Sequence, residues 1–181
     1  MSRAKYLQPM GRLLLDIRDA AGKRIPARVS ALGGDRRWHA PANAWMHGDE
    51  AFDRSLQPSE AHYFHCVSPC ELELPAGEAA LTVQYGFRHL PKSEVVNIGP
   101  GTRRELLVEL AGNDLPNSFG RHVNADLHVH MNYGGHYLNT PARMLAQQDA
   151  EDLDVVYNLI VNKEERIPDI AYFSTAPDAV L

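Results

Sequence analysis

Two histidines separated by one residue, His128 and His130, carry the clearest chemical signal in this sequence. They end a short segment, 125–130, whose apolar and polar residues alternate as in a β-strand. Because residues two apart on a strand point to the same side, both imidazoles can reach one metal ion. Asp126 shares this parity and is predicted to orient a ligand from outside the coordination sphere. The pattern indicates a metal site, although the same spacing also occurs on strands that bind nothing.

The residues after the histidine pair predict a helix and a second strand. Thr140 is a favourable N-cap and Pro141 suits the first helical position. The helix is predicted to end near Glu151, and 155–161 is apolar enough for a buried strand. The apolar face of the helix is predicted to comprise Ala142, Leu145, Ala146, Ala150 and Leu153. Strand, helix and strand with short links indicate a parallel pair with a right-handed crossover.

The two predicted loops of this unit lie at one edge, because parallel strands end on the same side. In α/β barrels that edge carries the chemistry. Asn132 and His136 follow the first strand, and Lys163 and Glu164 follow the second, so all four are weak candidates for the substrate side. An ordinary solvated loop explains them equally well. Four further histidines favour packing roles in an aromatic-rich region: His39, His47, His62 and His65.

The first half of the chain predicts a β-sandwich. Short strands are predicted at 13–18, 25–32, 71–74, 79–85, 94–98 and 104–110. Regular spacing with Gly and Pro turns between them is typical of a sandwich. The fold class is therefore mainly β, with a sandwich over 1–110, a linker over 111–124 and a partial α/β unit over 125–181.

A long polar and aromatic insertion interrupts the strands between Gly33 and Glu60. Loops of this length inside a domain are usually functional or disordered, and two tryptophans argue against disorder. We expect an ordered flap over 37–50, which either lines the site or packs elsewhere. Cys66 and Cys70 are predicted to be small core or strand-end residues, with a disulfide between them as the alternative.

The composition excludes several classes of function. Apolar residues make up 44% of the 181, charged residues 23%, and the net charge is −5 without any long basic run, so we expect no nucleic-acid surface. We also expect no membrane helix and no signal peptide, which makes the cytoplasm the default location. A glycine-rich nucleotide loop and a Gly-x-Ser-x-Gly elbow are both absent from the sequence.

Residues 126–135, with the sequence DLHVHMNYGG, resemble CehA/McbA-type metallohydrolases of the PHP (polymerase and histidinol phosphatase) superfamily. The similarity continues through 139–143, 158–164 and 166–173. Residues 11–110 are similar to the carboxypeptidase-regulatory-like β-sandwich that often precedes such a barrel, mainly at 74–77 and 86–87.

The resemblance implies a hydrolase that uses Zn, Mn or Fe to activate water against an ester, amide or carbamate of a small molecule. His128 and His130 would be metal ligands by direct match to the motif. A complete barrel needs about 200 residues, so we expect an incomplete site, a chain inactive by itself, and self-association through an exposed partial barrel. The alternative is a non-catalytic β-sandwich that serves as a binding or interaction module.

Overall fold

A computed structural model describes residues 8–49, 61–116, 120–132 and 139–159, and shows a mainly β fold. The sandwich contains strands β1 (Met10–Asp19), β2 (Ala27–Leu32), β3 (His47–Asp49), β4 (Ala61–Cys66), β5 (Cys70–Pro75), β6 (Gly77–Gln84), β7 (Lys92–Ile98) and β8 (Arg103–Leu110). A smaller unit follows, with β9 (Ala125–Val129), α1 (Pro141–Ala150) and β10 (Val155–Asn158). No helix in the described part of the chain is long and apolar enough to cross a bilayer.

Two sheets enclose the core of the sandwich. One has the order β5-β1-β8 and the other β3-β4-β2-β6-β7. Strands alternate inward and outward residues, so Leu13, Leu15 and Ile17 of β1 are fully buried while their neighbours are not. The same alternation places Val29 of β2 and Val83 of β6 opposite each other inside the core. This architecture confirms the mainly β prediction.

The predicted insertion contains structure that the sequence did not reveal. Strand β3 lies within it and pairs antiparallel with β4, which was also not predicted. Cys66 and Cys70 form a disulfide across the turn from β4 to β5, with Cα atoms 5.7 Å apart. The prediction of two unpaired cysteines was therefore wrong, because the tight turn brings both within bonding range. Disulfides persist mainly in oxidising compartments, and this one gives no support to a cytoplasmic location. The cytoplasmic location stays a prediction.

The smaller unit confirms the predicted helix and parallel pair. The Thr140 side chain accepts a hydrogen bond from the backbone N–H of Arg143, and β10 runs parallel to β9. Two details were wrong. Within its described part the second strand is not buried, since a two-stranded sheet leaves much of its surface to solvent. The helix exposes Ala142 and Ala146, and the residues it buries are Gln148 and Ala150.

An ion pair joins the smaller unit to the sandwich. Asp152, which follows α1, is only 7% exposed and lies against the Arg88 guanidinium. Arg88 Nε donates to one Asp152 carboxylate oxygen at 2.7 Å, and Nη2 donates to the other. Asn124 Nδ2 donates to the Asp152 backbone carbonyl at 2.8 Å. Asn113 N also donates to the Arg88 carbonyl at 2.7 Å, so the two described ends of the predicted linker, near Asn113 and Asn124, both contact the junction.

The close approach at this junction requires a glycine. Gly86 has φ +53°, and a Cβ placed on it would lie 2.4 Å from the Asp152 Cβ. Asp152 itself has φ +55°, a conformation that short polar side chains tolerate better than most. Burial, the nearby charge of Asp152 and that of Asp149 raise the pKa of the neighbouring Tyr85 to about 12. Tyr85 is thus held neutral beside the buried carboxylate.

Replacing Arg88 with alanine tests this junction. Arg88→Ala leaves the Asp152 carboxylate buried without its cation, so we expect a loss of about 1–3 kcal/mol in the free energy of unfolding, discounted for the partial exposure of Arg88. Urea unfolding followed by circular dichroism measures it. Arg103→Ala is the control, because its ion pairs with Glu71 and Glu105 lie in solvent. Equal losses in the two variants would contradict a central role for the junction.

The raised pKa of Tyr85 predicts a specific alkaline instability. Between about pH 10 and 12 the unfolded tyrosine ionises and the folded one does not, so stability is lost as the pH rises through this window. Urea unfolding at pH 9 and pH 11 should show a drop that Tyr85→Phe diminishes. A drop of the same size in Tyr85→Phe would assign it to other groups.

Exposed apolar side chains on the two-stranded sheet predict self-association. Leu127 is 65% exposed and Tyr157, on the neighbouring strand, is 59% exposed. Such patches bind other apolar surfaces. The double variant Leu127→Lys, Tyr157→Lys should therefore bind less of a hydrophobic dye and have a lower sedimentation coefficient at high protein concentration. Val95→Lys, which removes an equally exposed apolar side chain of the sandwich, is the control. Equal dye binding and equal sedimentation of the double variant and Val95→Lys would contradict a role of this patch in self-association.

Candidate metal site and adjoining cavity

The two histidines of the predicted motif converge. His128 lies on β9 and His130 directly follows it, and their rings meet edge to face with centroids 4.9 Å apart. The two Nε2 atoms are 3.1 Å from each other. Parity on the strand therefore brings two potential metal-binding nitrogens to one point.

The end of the second strand holds His130 in place. The Leu159 carbonyl lies 2.9 Å from His130 Nδ1, and Asn158 Oδ1 accepts from the Met131 backbone N–H at 2.9 Å. Since a carbonyl can only accept, Nδ1 carries the ring proton and Nε2 keeps its lone pair. Metal-binding histidines in proteins are commonly oriented by this kind of bond. Sequence reasoning did not identify Leu159, because the contact is made by its backbone carbonyl and not by its side chain.

The spacing of the pair fits a shared divalent ion. Nitrogens bound to one ion at about 2.0–2.1 Å are separated by about 2.8–3.4 Å at octahedral to tetrahedral angles. The observed 3.1 Å falls within that span. Among the described residues, however, no group of three His, Cys, Asp or Glu side chains is placed to hold an ion. The described part of the chain thus brings two candidate ligands together, whereas a catalytic zinc site needs about three.

The other predicted site residues have different positions. Asp126 Oδ1 accepts a hydrogen bond from the His128 backbone N–H at 3.0 Å. Its carboxylate therefore contacts the main chain of the histidine pair. Asn132 Oδ1 accepts from the Asn139 backbone N–H at 2.6 Å, and its Nδ2 donates to the Asn139 carbonyl at 3.2 Å. Asn132 thereby clamps the ends of the first loop. His136, Lys163 and Glu164 lie outside the described residues.

A cavity of about 1200 Å³ lies between the smaller unit and the sandwich. Asp126, His130 and Asn132 line it on one side. The flap predicted over 37–50 contributes Trp45 and Met46, so its described part does line the candidate site. The guanidinium of Arg143, on α1, lies 4.2 Å from the centre of the Trp45 ring and joins the flap to the helix.

The opposite wall is a row of polar and aromatic side chains across four strands of the five-stranded sheet. Strand register places His47 beside Tyr63, His65 beside Arg28, and Arg28 beside Gln84. All five face away from the core, and all five line the cavity. Sequence reasoning assigned these histidines to packing. The alternation of polar residues with buried Phe64 and Cys66 was the available signal, but the pairing of the strands was not visible.

Charges in this wall are paired with each other. Glu151 Oε1 lies 2.8 Å from His65 Nε2 and 3.9 Å from Arg28 Nη1. The Arg28 guanidinium also lies 3.6 Å from the centre of the Tyr63 ring. His47 stacks on Tyr63 with ring centres 5.1 Å apart. Burial and the nearby His65 lower the pKa of His47, so this imidazole is neutral at physiological pH.

Comparisons with known proteins give little further guidance. No protein-family model matches the chain, and no curated protein matches it. Among solved structures, a minor pilin of the Gram-positive pathogen Streptococcus agalactiae is similar over 60% of this chain at 13% identity, with a TM-score of 0.41. Phospholipase PlaB from Legionella pneumophila is similar over 64% at 10% identity, with a TM-score of 0.29. The chain spans 47% of the pilin and 29% of the phospholipase, and neither likeness bears on function.

Proposed function

We propose that the chain belongs to a metal-dependent hydrolase in which His128 and His130 bind a divalent ion, zinc, manganese or iron. The observation that carries the proposal is the convergence of their Nε2 atoms at 3.1 Å beside a large cavity. The motif DLHVHMNYGG, with its resemblance to CehA/McbA-type enzymes of the PHP superfamily, supports it from the sequence.

The residues of this chain have separate roles in the proposed site. The two imidazoles bind the ion, and the Leu159 carbonyl fixes the tautomer of His130. A bound divalent ion supplies a water of lowered pKa and polarises the carbonyl of an ester, amide or carbamate. The cavity beside His130 admits a small-molecule substrate, and the flap excludes water from part of it. We propose that further ligands come from outside the described residues, and we keep His136 and Glu164, which lie outside them as well, as candidates for the substrate side.

The competing proposal is a non-catalytic interaction module built on the sandwich. It predicts a chain that binds a partner without binding metal. The convergent histidines favour the hydrolase, because a module of that kind has no need for two paired imidazoles at a cavity.

Metal content tests the proposed function directly. At equilibrium with Zn²⁺ or Mn²⁺, dialysis followed by metal analysis should show only weakly bound ion in the wild type, because the described residues bring together two candidate ligands and not three. His128→Ala and His130→Ala should each lower it at least about tenfold, since loss of one ligand of two or three removes most of the affinity. His62→Ala, which changes a histidine on β4, is the control.

Two results would contradict the proposal. One is metal content in the two motif variants equal to that of His62→Ala. The other is the absence of bound metal in the wild type under all loading conditions, which would favour the interaction module. Hydrolysis of p-nitrophenyl acetate, measured with and without a chelator, reports separately on whether bound metal is used for catalysis.

A further inference from the structure

We propose that Asn158 is a positioning residue of the candidate metal site, whose side chain keeps strand β9 in a bulged register that orients the His130 imidazole. The inference deepens the proposed function, and its part that concerns metal rests on that function. The positioning itself is a property of the chain without metal.

The pairing of β9 with β10 is irregular at the histidine pair. Asp126 and Val129 of β9 pair with Val156 and Asn158 of β10, which are one residue closer together. Strand β9 therefore carries one extra residue in this stretch, which is a β-bulge. Bulges change the direction of side chains and occur often beside active sites.

The extra residue changes which side chains of β9 face the cavity. Asp126 and Val129 both line it, although residues three apart on a regular strand point to opposite faces. A regular register would turn the residues after the bulge to the other face, because a shift by one residue exchanges the two faces of a strand. The direction of His130, which follows Val129, thus depends on the bulge.

A side chain of β9 stabilises the bulge from within the strand. Asp126 Oδ1 accepts a hydrogen bond from the His128 backbone N–H at 3.0 Å. The extra residue of a bulge has no partner on the neighbouring strand, so this bond replaces one of the ladder. Because both groups belong to β9, the bond does not decide how β9 lies against β10.

The end of β10 contacts the chain on both sides of His130. The Leu159 N–H donates to the Val129 carbonyl at 2.7 Å, and the Leu159 carbonyl lies 2.9 Å from His130 Nδ1. Asn158 Oδ1 accepts from the Met131 backbone N–H at 2.9 Å. Leu159 makes its contacts through the backbone, whereas Asn158 uses its side chain. A substitution of Asn158 can therefore release the chain after His130 while the Leu159 backbone stays in place.

Asn158→Ala tests the inference on the full chain. It removes the acceptor of the Met131 N–H, so the His130 ring should lose its fixed bond to the Leu159 carbonyl. Long-range ¹H–¹⁵N NMR spectra in mildly alkaline buffer without metal should show the Nδ1–H tautomer of His130 in the wild type and a mixture of both tautomers in the variant. His130→Ala assigns the signals. An unchanged tautomer in Asn158→Ala would overturn the proposal.

Matched variants separate positioning from a general loosening of the smaller unit. Asn158→Asp keeps an oxygen acceptor and should restore the Nδ1–H tautomer, and Asn158→Val, which suits a strand but lacks an acceptor, should behave as Asn158→Ala. Asn124→Ala removes a side chain just before β9, where Nδ2 donates to the Asp152 carbonyl at 2.8 Å, and should leave the tautomer unchanged. Thermal unfolding identifies the variants that are folded. Absence of rescue by Asn158→Asp, or an equal effect of Asn124→Ala, would overturn the proposal.

Zn²⁺ affinity connects the positioning with the proposed function. A His130 ring that turns freely presents Nε2 to an ion only part of the time. Asn158→Ala should therefore weaken Zn²⁺ binding about tenfold, the lower end of the effect of groups that orient a metal ligand. Equilibrium dialysis compares it with Asn124→Ala, and equal affinities of the two variants would overturn the proposal.

The two measurements separate this inference from the proposed function. A wild type that binds no Zn²⁺ but has the Nδ1–H tautomer, lost in Asn158→Ala, would count against the metal site alone. Zn²⁺ bound equally well by the wild type and Asn158→Ala would count against the role of Asn158 alone.

Discussion

The burial of one carboxylate decides how the two parts of this molecule meet. Asp152 is removed from water at the end of α1, and Arg88 of the sandwich neutralises it. Leaving this carboxylate without its cation costs about 1–3 kcal/mol, which favours the observed position of the smaller unit against the sandwich. The cavity, the flap contact and the orientation of β9 all depend on that position. Gly86 makes the approach possible because it has no side chain to occupy the space that Asp152 needs.

Local patterns in the sequence predicted the elements well. Alternation identified β1, β2, β5, β6, β7 and β8 to within a few residues, because inward and outward residues of a strand differ in polarity. Thr140 and Pro141 identified the start of α1, since capping is a property of adjacent residues. The spacing of His128 and His130 likewise placed two rings on one side. Each of these features is decided by residues that are neighbours in sequence.

Features that depend on distant residues could not be predicted. The row from His47 to Gln84 exists only because β3, β4, β2 and β6 are adjacent in that order, which no local pattern encodes. In strand β4 the adjacent aromatic residues Tyr63 and Phe64 lie on opposite faces, so polar alternation did not identify the strand. The buried Gln148 side chain donates to the Leu153 carbonyl five residues further on, a local contact that helical periodicity does not reveal. The cavity itself belongs to neither half of the chain alone.

Glu151 makes two contacts, with His65 and with Arg28, and one substitution would remove both. Its carboxylate attaches α1 to the sandwich through His65. Its negative charge also offsets the positive charge of Arg28 in the cavity wall. A homologue that binds acidic compounds at Arg28 because it has lost Glu151 would therefore also lose the contact that attaches α1 to His65. Selection for such a change would have to strengthen the attachment elsewhere first, and the order of those two steps limits the evolutionary routes open to this fold.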